Sequence, residues 1–307
     1  MKSANLLHNP KAGGGEYSKK RLMALIRAAG FDCSYSSTKK RGWEKIEAAD
    51  GDFIVLAGGD GTVRKVAGEL LDKNVPIGVL PLGTANNIAK TLGLHPHNMS
   101  IEDIIEAWSD KQLKKFDVGR IQGLKKHKFF LEGIGYGVFP RLMKEMENYE
   151  KKDDPEKQMK TALEVLHDII LESKARFCKI EIDGADHSGD FLLAEVMNTQ
   201  SIGPNLQLAP FADPGDGELE VVLISDRQRQ DFADYVLNKI NGKEAPPIFN
   251  ILKAKNLKIF WEGHLLHVDD QIIKLKEPAE ITIKLQEGVL SFLVPDKAYM
   301  KATSLAS

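Results

Sequence analysis

Apolar and polar positions divide the chain into two textures. In the first third, short apolar runs alternate with stretches of helical period. Ser3–His8 is a short apolar run, and residues 18–29 carry Leu22, Leu25 and Ile26 at helical spacing. Residues 52–57 (DFIVLA) read as a buried strand ending at glycine. Residues 63–73 then place Val63, Val66, Ala67, Leu70 and Leu71 on one helical face. A second buried-type strand, PIGVL from Pro76, leads into a turn and a short helical stretch to Leu92. Ser100, with Asp103 three residues on, opens a helix whose apolar stripe is Ile101, Ile104, Ile105 and Trp108. Strands alternating with helices predict parallel pairing and a doubly wound α/β sheet.

Beyond Lys114 the period shortens. Residues 128–134, 175–183, 190–197, 218–224, 256–261, 271–276, 280–285 and 289–294 read as strands, many of them joined by turns of Gly, Asp, Asn or Pro. That pattern predicts an antiparallel sandwich or barrel. One helical stretch, 155–173, interrupts it with Ala162, Leu163, Leu166, Ile169 and Ile170. The expected organisation is an α/β domain and a mostly β domain, with the boundary near 115–125.

Composition narrows the function classes. Of 307 residues, 42% are hydrophobic and 28% charged, enough for a packed core. A formal net charge of −2 argues against a protein that wraps nucleic acid in a basic surface. Cys33 and Cys178 stand far apart and make no disulfide framework, which fits a reducing cytoplasm. The apolar start is too short for a signal peptide, and no segment approaches the ~20 apolar residues of a membrane span. Contact with a membrane would be peripheral.

The candidate chemistry sits in strand-end turns. Gly58-Gly59-Asp60-Gly61-Thr62 lies between a strand and a helix. There, glycines allow positive φ and close approach of a phosphate chain, and N–H groups at the helix start favour an anion. Asp60 would act with Mg²⁺ or bind a nucleotide hydroxyl; the plainer reading is a strand–helix turn that Asp60 caps. Gly83-Thr84-Ala85-Asn86-Asn87 follows the next strand, and Asn9-Pro10 with Gly13–Gly15 follows the first. All three turns should meet at the carboxyl edge of a parallel sheet, where ligands bind. Asp213-Pro214-Gly215-Asp216-Gly217 followed by Glu218 reads either as an oxygen-ligand site for a hard cation or as a hairpin turn needing no metal. His95 with His97, and His264 with His267, lack the cluster that would complete a zinc site. His267 shares a strand face with Asp269 and could tune its carboxylate. The Gly133–Gly137 run (GIGYG) should permit close backbone packing, and the basic run 125–128 should be solvated or touch anionic lipid heads.

The order NPxxG, GGDGT, PLGTANN, then DPGDGEL and finally HVDDQ resembles the diacylglycerol-kinase catalytic family, specifically soluble bacterial lipid kinases, over nearly the whole chain. The resemblance implies a nucleotide-binding N-terminal domain of NAD-kinase/phosphofructokinase type and a C-terminal β-sandwich carrying the lipid and Mg²⁺ site. It divides the chain into 1–118, with 295–307 returning, and 119–294. It implies ATP and Mg²⁺ as cofactors and a lipid acceptor at the membrane surface; a homodimer is left open. It places ATP on Asn9, Pro10, Thr38, Gly58, Gly59, Asp60, Gly61, Thr62, Gly83, Thr84 and Asn86. Metal ligation falls on Asp213, Asp216 and Glu218, with Asp216 the side-chain ligand, the other two contributing carbonyl oxygens, and Asp117 joining through water. Asp269 matches the first residue of the family's Asp-Gly-Glu motif, whose acidic residues deprotonate the acceptor.

Three departures bear on catalysis. Asp270 and Gln271 replace the glycine and glutamate of that motif, and glutamine can orient a hydroxyl but not take its proton. Arg64-Lys65 replaces an Asn-Glu pair after GGDGT, and Gly14 replaces a basic residue in the first loop. Two alternatives to a lipid kinase therefore stand: an NAD-kinase-like enzyme, which shares GGDGT, and a nucleotide- or lipid-binding relative without catalysis.

Overall fold

The computed structural model describes residues 2–40, 43, 51–71, 73–94, 99–109, 112–149, 154–243 and 249–296. It divides into two compact units, Met1–Phe116 with Gly288–Ser307, and Asp117–Glu287.

In the first unit the apolar runs become β1 (Ser3–His8), β2 (Asp32–Ser37), β3 (Phe53–Gly58) and β4 (Pro76–Pro81). They lie side by side in the order β4-β3-β1-β2, all parallel, with His8 opposite both Ser37 and Ala57 and Gly58 opposite Pro81. Every residue of β3 is buried, as a central strand of a covered parallel sheet requires. The in-step register carries the carboxyl ends of all four strands to one edge. The helices are α1 (Lys19–Ala28), α2 (Asp60–Leu70), α3 (Asn87–Thr91) and α4 (Ile101–Glu106). Ser18 caps α1 by accepting from Arg21 N–H. The box foreseen at Ser100 and Asp103 forms in both directions at α4.

Helix α2 begins three residues before the apolar stripe that predicts it. The Gly59 carbonyl accepts from Thr62 and Val63 N–H, so Asp60-Gly61-Thr62 is the helix's first turn and only Gly58-Gly59 is the bend. The strand β2 went unread, because Asp32-Cys33-Ser34-Tyr35-Ser36-Ser37 is too polar to register as a buried run.

The second unit holds most of β5 (Gln112–Gln122), then β6 (Phe129–Phe130), β7 (Gly133–Gly137), α5 (Val138–Met146), α6 (Pro155–Glu172), β8 (Arg176–Ile182), β9 (Ala185–Asp186), β10 (Gly189–Met197), β11 (Leu219–Ser225), α7 (Arg229–Ile240), β12 (Ile251–Ala254), β13 (Asn256–Trp261), β14 (Leu265–Val268), β15 (Gln271–Lys274) and the first part of β16 (Glu280–Val294). Its strands run β15-β14-β7-β10-β8-β13-β16 by antiparallel pairing, and β10 also pairs with β11. This is the expected β-sandwich. One core forms between its strands around Ile180, Val221, Trp261 and Ile283. A second packs α5, α6 and α7 through Leu142, Leu166, Ile170, Phe232 and Val236.

Residues 280–285 and 289–294 form one strand, not two. Gly288 takes φ +60° inside β16 without ending it, and Ser291-Phe292 then pair in parallel with Pro76-Ile77 of the first unit's sheet. The return to that unit therefore begins at Gly288, before the residue 295 that the resemblance suggested. Helices α5 and α7 also went unread. In α5, Pro140 falls in the first turn, where its missing N–H costs nothing. Both cysteines are buried free thiols, pushed up by burial to about 11 for Cys33 and about 12 for Cys178.

Candidate active site

Four strand-end loops of the first unit are tied into one frame. Asn9 Nδ2 donates to Thr62 Oγ1 at 3.2 Å, which joins the loop after β1 to the first turn of α2. Asn9 Oδ1 accepts from Lys11 N–H, closing its own turn around exposed Pro10. Thr38, after β2, is bonded to the His8 carbonyl through its N–H at 3.0 Å and its hydroxyl at 3.3 Å. Lys65 reaches the Thr38 carbonyl at 3.4 Å and lies 4.7 Å from the Trp43 ring centroid. The Lys65 ammonium thus helps to hold the Thr38 loop.

The two glycine turns touch. A Cβ on Gly83 would lie 2.5 Å from Gly59 Cα and 2.8 Å from Asn86 Oδ1, and one on Gly58 would lie 2.6 Å from Thr62 Oγ1. None of Gly58, Gly59, Gly61 and Gly83 has positive φ. The positive-φ expectation is therefore overturned: glycine is required because two backbones pack in contact. Asn86 supplies the left-handed residue instead, at φ 52°. Its side chain accepts from Gly83 N–H at 2.9 Å and donates to the Gly83 carbonyl at 2.7 Å, while Thr84 stays exposed at the tip.

Asp60 reaches from the first glycine turn to the second. Its Oδ2 accepts from Asn87 N–H and its Oδ1 from Ile88 N–H, both at 3.0 Å. It caps α3 from 27 residues upstream, placing a carboxylate on orphan N–H groups. Beside this frame, Gly13, Tyr17, Leu82, Gly83, Met99 and Ser100 line a cleft of about 220 Å³. Tyr17 and Met99 were not foreseen, because nothing local marks them.

In the second unit, Asp269 sits at φ 51° in the turn between β14 and β15. Its Oδ1 accepts from the N–H groups of Leu131, Glu132 and Gly133 at 3.1, 2.8 and 3.2 Å, and its own N–H donates to the Gly133 carbonyl at 2.8 Å. A carboxylate so used is first an anchor. Asp270 is exposed, and half-buried Gln271 opens β15 opposite Val268.

Beneath this turn lies a buried pair that sequence reasoning missed in part. His267 Nδ1 meets the Asp269 carbonyl oxygen at 3.0 Å, so it carries a hydrogen, and Nε2 meets Glu195 Oε2 at 2.9 Å. The side chains are 1% and 0% exposed. Burial pushes the Glu195 carboxyl above its ordinary range. Burial alone would lower the His267 imidazole, but the Glu195 carboxylate beside it raises it. A Cβ on Gly135 would fall 1.8 Å from Glu195 Oε2, so the Gly133–Gly137 run makes room for this carboxyl. The signal was a glutamate inside the apolar strand FLLAEVM, where an unpaired charge is costly.

The expected metal ligands are not brought together as a set. Asp213 Oδ1 accepts from Gly215 N–H and Asp216 Oδ1 from Glu218 N–H, each stabilising its own turn. Asp216 and Glu218 converge on the Lys253 ammonium, at 3.3 Å for Asp216. Among the described residues no group of three or more His, Cys, Asp or Glu could hold a metal ion. As arranged, the turn does not fit a bound Mg²⁺, because a lysine supplies the positive charge. Asp117 joins this turn directly: its Oδ2 accepts from Gly217 N–H at 2.9 Å. Asn198 donates to the Asp117 and Leu131 carbonyls at 2.9 and 3.0 Å, linking this turn to the segment that anchors Asp269. His264 is exposed on β14's approach; His95 and His97 lie outside the described residues.

No described helix is long and apolar enough to cross a membrane. Residues 3–121 match the diacylglycerol kinase catalytic domain, and residues 149–284 match a C-terminal NAD kinase beta sandwich-like domain. A diacylglycerol kinase of Bacillus subtilis (strain 168) is 28% identical over 263 residues, covering 79% of this chain and 80% of its own. One from Mycobacterium tuberculosis is 26% identical, covering 73% of each. A Bacillus anthracis str. Sterne crystal structure superposes with TM-score 0.74 at 24% identity, over 97% of this chain and 96% of that one. Yeast NADH kinase shares the fold at TM-score 0.52 and 11% identity, over 97% and 84%. The chain belongs to the diacylglycerol-kinase catalytic-domain family, whose enzymes are phosphotransferases with an alcohol acceptor.

Proposed function

We propose that the chain is an ATP-dependent lipid kinase that phosphorylates a hydroxyl of diacylglycerol or a related lipid. The observation that carries this reading is the frame of loops at one edge of a parallel sheet, with the Gly59 and Gly83 turns in backbone contact. ATP lies along that edge. Its phosphates face the N–H groups opening α2, and Asn9, Pro10, Thr38, Gly58, Gly61, Thr62, Thr84 and Asn86 border it. Asp60 holds the second turn against the first and so sets the width of the phosphate seat.

In the second unit, Gln271 orients the acceptor hydroxyl from the turn that Asp269 anchors. Phosphoryl transfer runs through a loose transition state, so positioning and charge neutralisation dominate and a strong base is not required. Mg²⁺ bound to the triphosphate would neutralise part of its charge. The enzyme works inside the cell and meets lipid at the membrane surface.

The test is incubation with radiolabelled ATP, Mg²⁺ and separated lipids, followed by mass identification of the product. ATP-dependent gain of one phosphate on diacylglycerol or a related lipid is the expected result. Phosphorylation of NAD instead would overturn it, and tight ATP binding without transfer to any lipid would mark a non-catalytic relative.

A further inference from the structure

The second unit carries a cavity of about 510 Å³ that the kinase reading does not use. It lies where the ends of α6 and β13 meet the start of β14. Its floor is apolar: Trp261, Leu192 and Leu265. Trp261 is buried and stacked on Tyr136, with centroids 5.4 Å apart and planes 23° from parallel. A Cβ on Gly263 would fall 2.4 Å from Trp261 Nε1, so the indole edge is reachable only because residue 263 is glycine.

The rim is cationic. Arg141 is bound by Glu172 at 3.3 Å and Ser173 at 3.2 Å, which fixes one guanidinium and cancels one charge. Lys174, Arg176 and His264 also line the cavity, and all three are exposed. An apolar floor beside exposed cationic side chains suits a ligand with an anionic head and an apolar body. The floor offers few polar atoms to read the edge of a nucleotide base.

We infer that this cavity binds a phosphate-bearing amphiphile, with the phosphate held by Lys174 and Arg176 and the apolar body over Trp261. The site is separate from the acceptor turn. Strand β14 starts at the cavity with Leu265 and leads into the turn of Asp269, four residues or roughly 13 Å away at strand rise.

Isothermal titration of the full chain with monomeric dioctanoyl phosphatidic acid, dioctanoylglycerol and inorganic phosphate tests it. The phosphatidic acid should bind more tightly than either of the others. Its affinity should fall about tenfold or more in the double variant Lys174→Ala, Arg176→Ala, for the loss of two charge-assisted hydrogen bonds. Both side chains are exposed, so melting and ATP binding should not move. Gly263→Ala, which blocks the indole edge, should weaken the phosphatidic acid but not inorganic phosphate. Equal binding of dioctanoylglycerol would show that the rim reads no phosphate. Inorganic phosphate as tight as the lipid would show that the apolar floor holds no part of the ligand. An unchanged affinity in the double variant would place the ligand elsewhere. Each of these three results overturns the inference.

Discussion

Asp60→Asn separates a structural carboxylate from one that acts on ligand. In the native fold, the two carboxylate oxygens each accept one backbone N–H of the 87–88 step. Asparagine keeps one acceptor and turns its NH₂ towards the second N–H, so one charge-assisted bond is lost and two donors oppose each other. Hydrogen bonds to charged groups contribute about 1.5–3 kcal/mol. The first unit's melting temperature should move by roughly 4 °C per kcal/mol, a fall of about 6–12 °C. Differential scanning calorimetry gives that shift, and hydrogen exchange at Asn87 and Ile88 localises it. ATP affinity should fall with it, because the two Asp60 bonds tie the second glycine turn to the first. A variant that melts within about 1 °C of the native protein yet has lost turnover would refute the reasoning. The carboxylate would then act on the nucleotide or its cation.

Gly83→Ala should destabilise by about 1–3 kcal/mol and abolish ATP binding, because its Cβ would meet the backbone of Gly59; calorimetry and nucleotide titration check both. His8 is buried with Nε2 unpartnered among the described residues, and burial holds its pKa below the usual 6.5. The unfolded chain then binds the extra proton first. Stability is retained above 6.5 and lost as pH falls through 6.5 towards the folded value, and His8→Phe should flatten that part of a melting-temperature profile. Lys253→Met leaves Asp216 and Glu218 without their counter-charge, so Mg²⁺ without nucleotide should raise the variant's melting temperature and not the native protein's. Gln271→Glu restores the acid of the family motif and should raise the rate of lipid phosphorylation; an unchanged rate would show that positioning alone is needed at that residue.

Much of the chain was legible without coordinates wherever a structural signal is local. The strands that became β1, β3 and β4 announce themselves as apolar runs, and the Ser100–Asp103 box lies within one turn of its helix. The order of glycine turns placed them at one sheet edge, since parallel strands in step must end together. Reading failed where the pattern was broken by residues serving another part of the molecule. The polar face of β2 hid a strand, and Glu287-Gly288 looked like a turn inside the single strand β16.

What only the tertiary structure decided was the use of each polar group. Asp60 is chemically able to hold a cation, and it caps a helix because the chain brings Asn87 and Ile88 to it. The glycines at 59 and 83 are needed for mutual contact, a reason that neither turn contains by itself. Glu195 and His267 form their pair across 72 residues, and Lys253 meets Asp216 across 37. Residue type sets what a side chain can donate, accept or neutralise. Which of those capacities is spent depends on which groups share its burial, and that is a property of the folded chain.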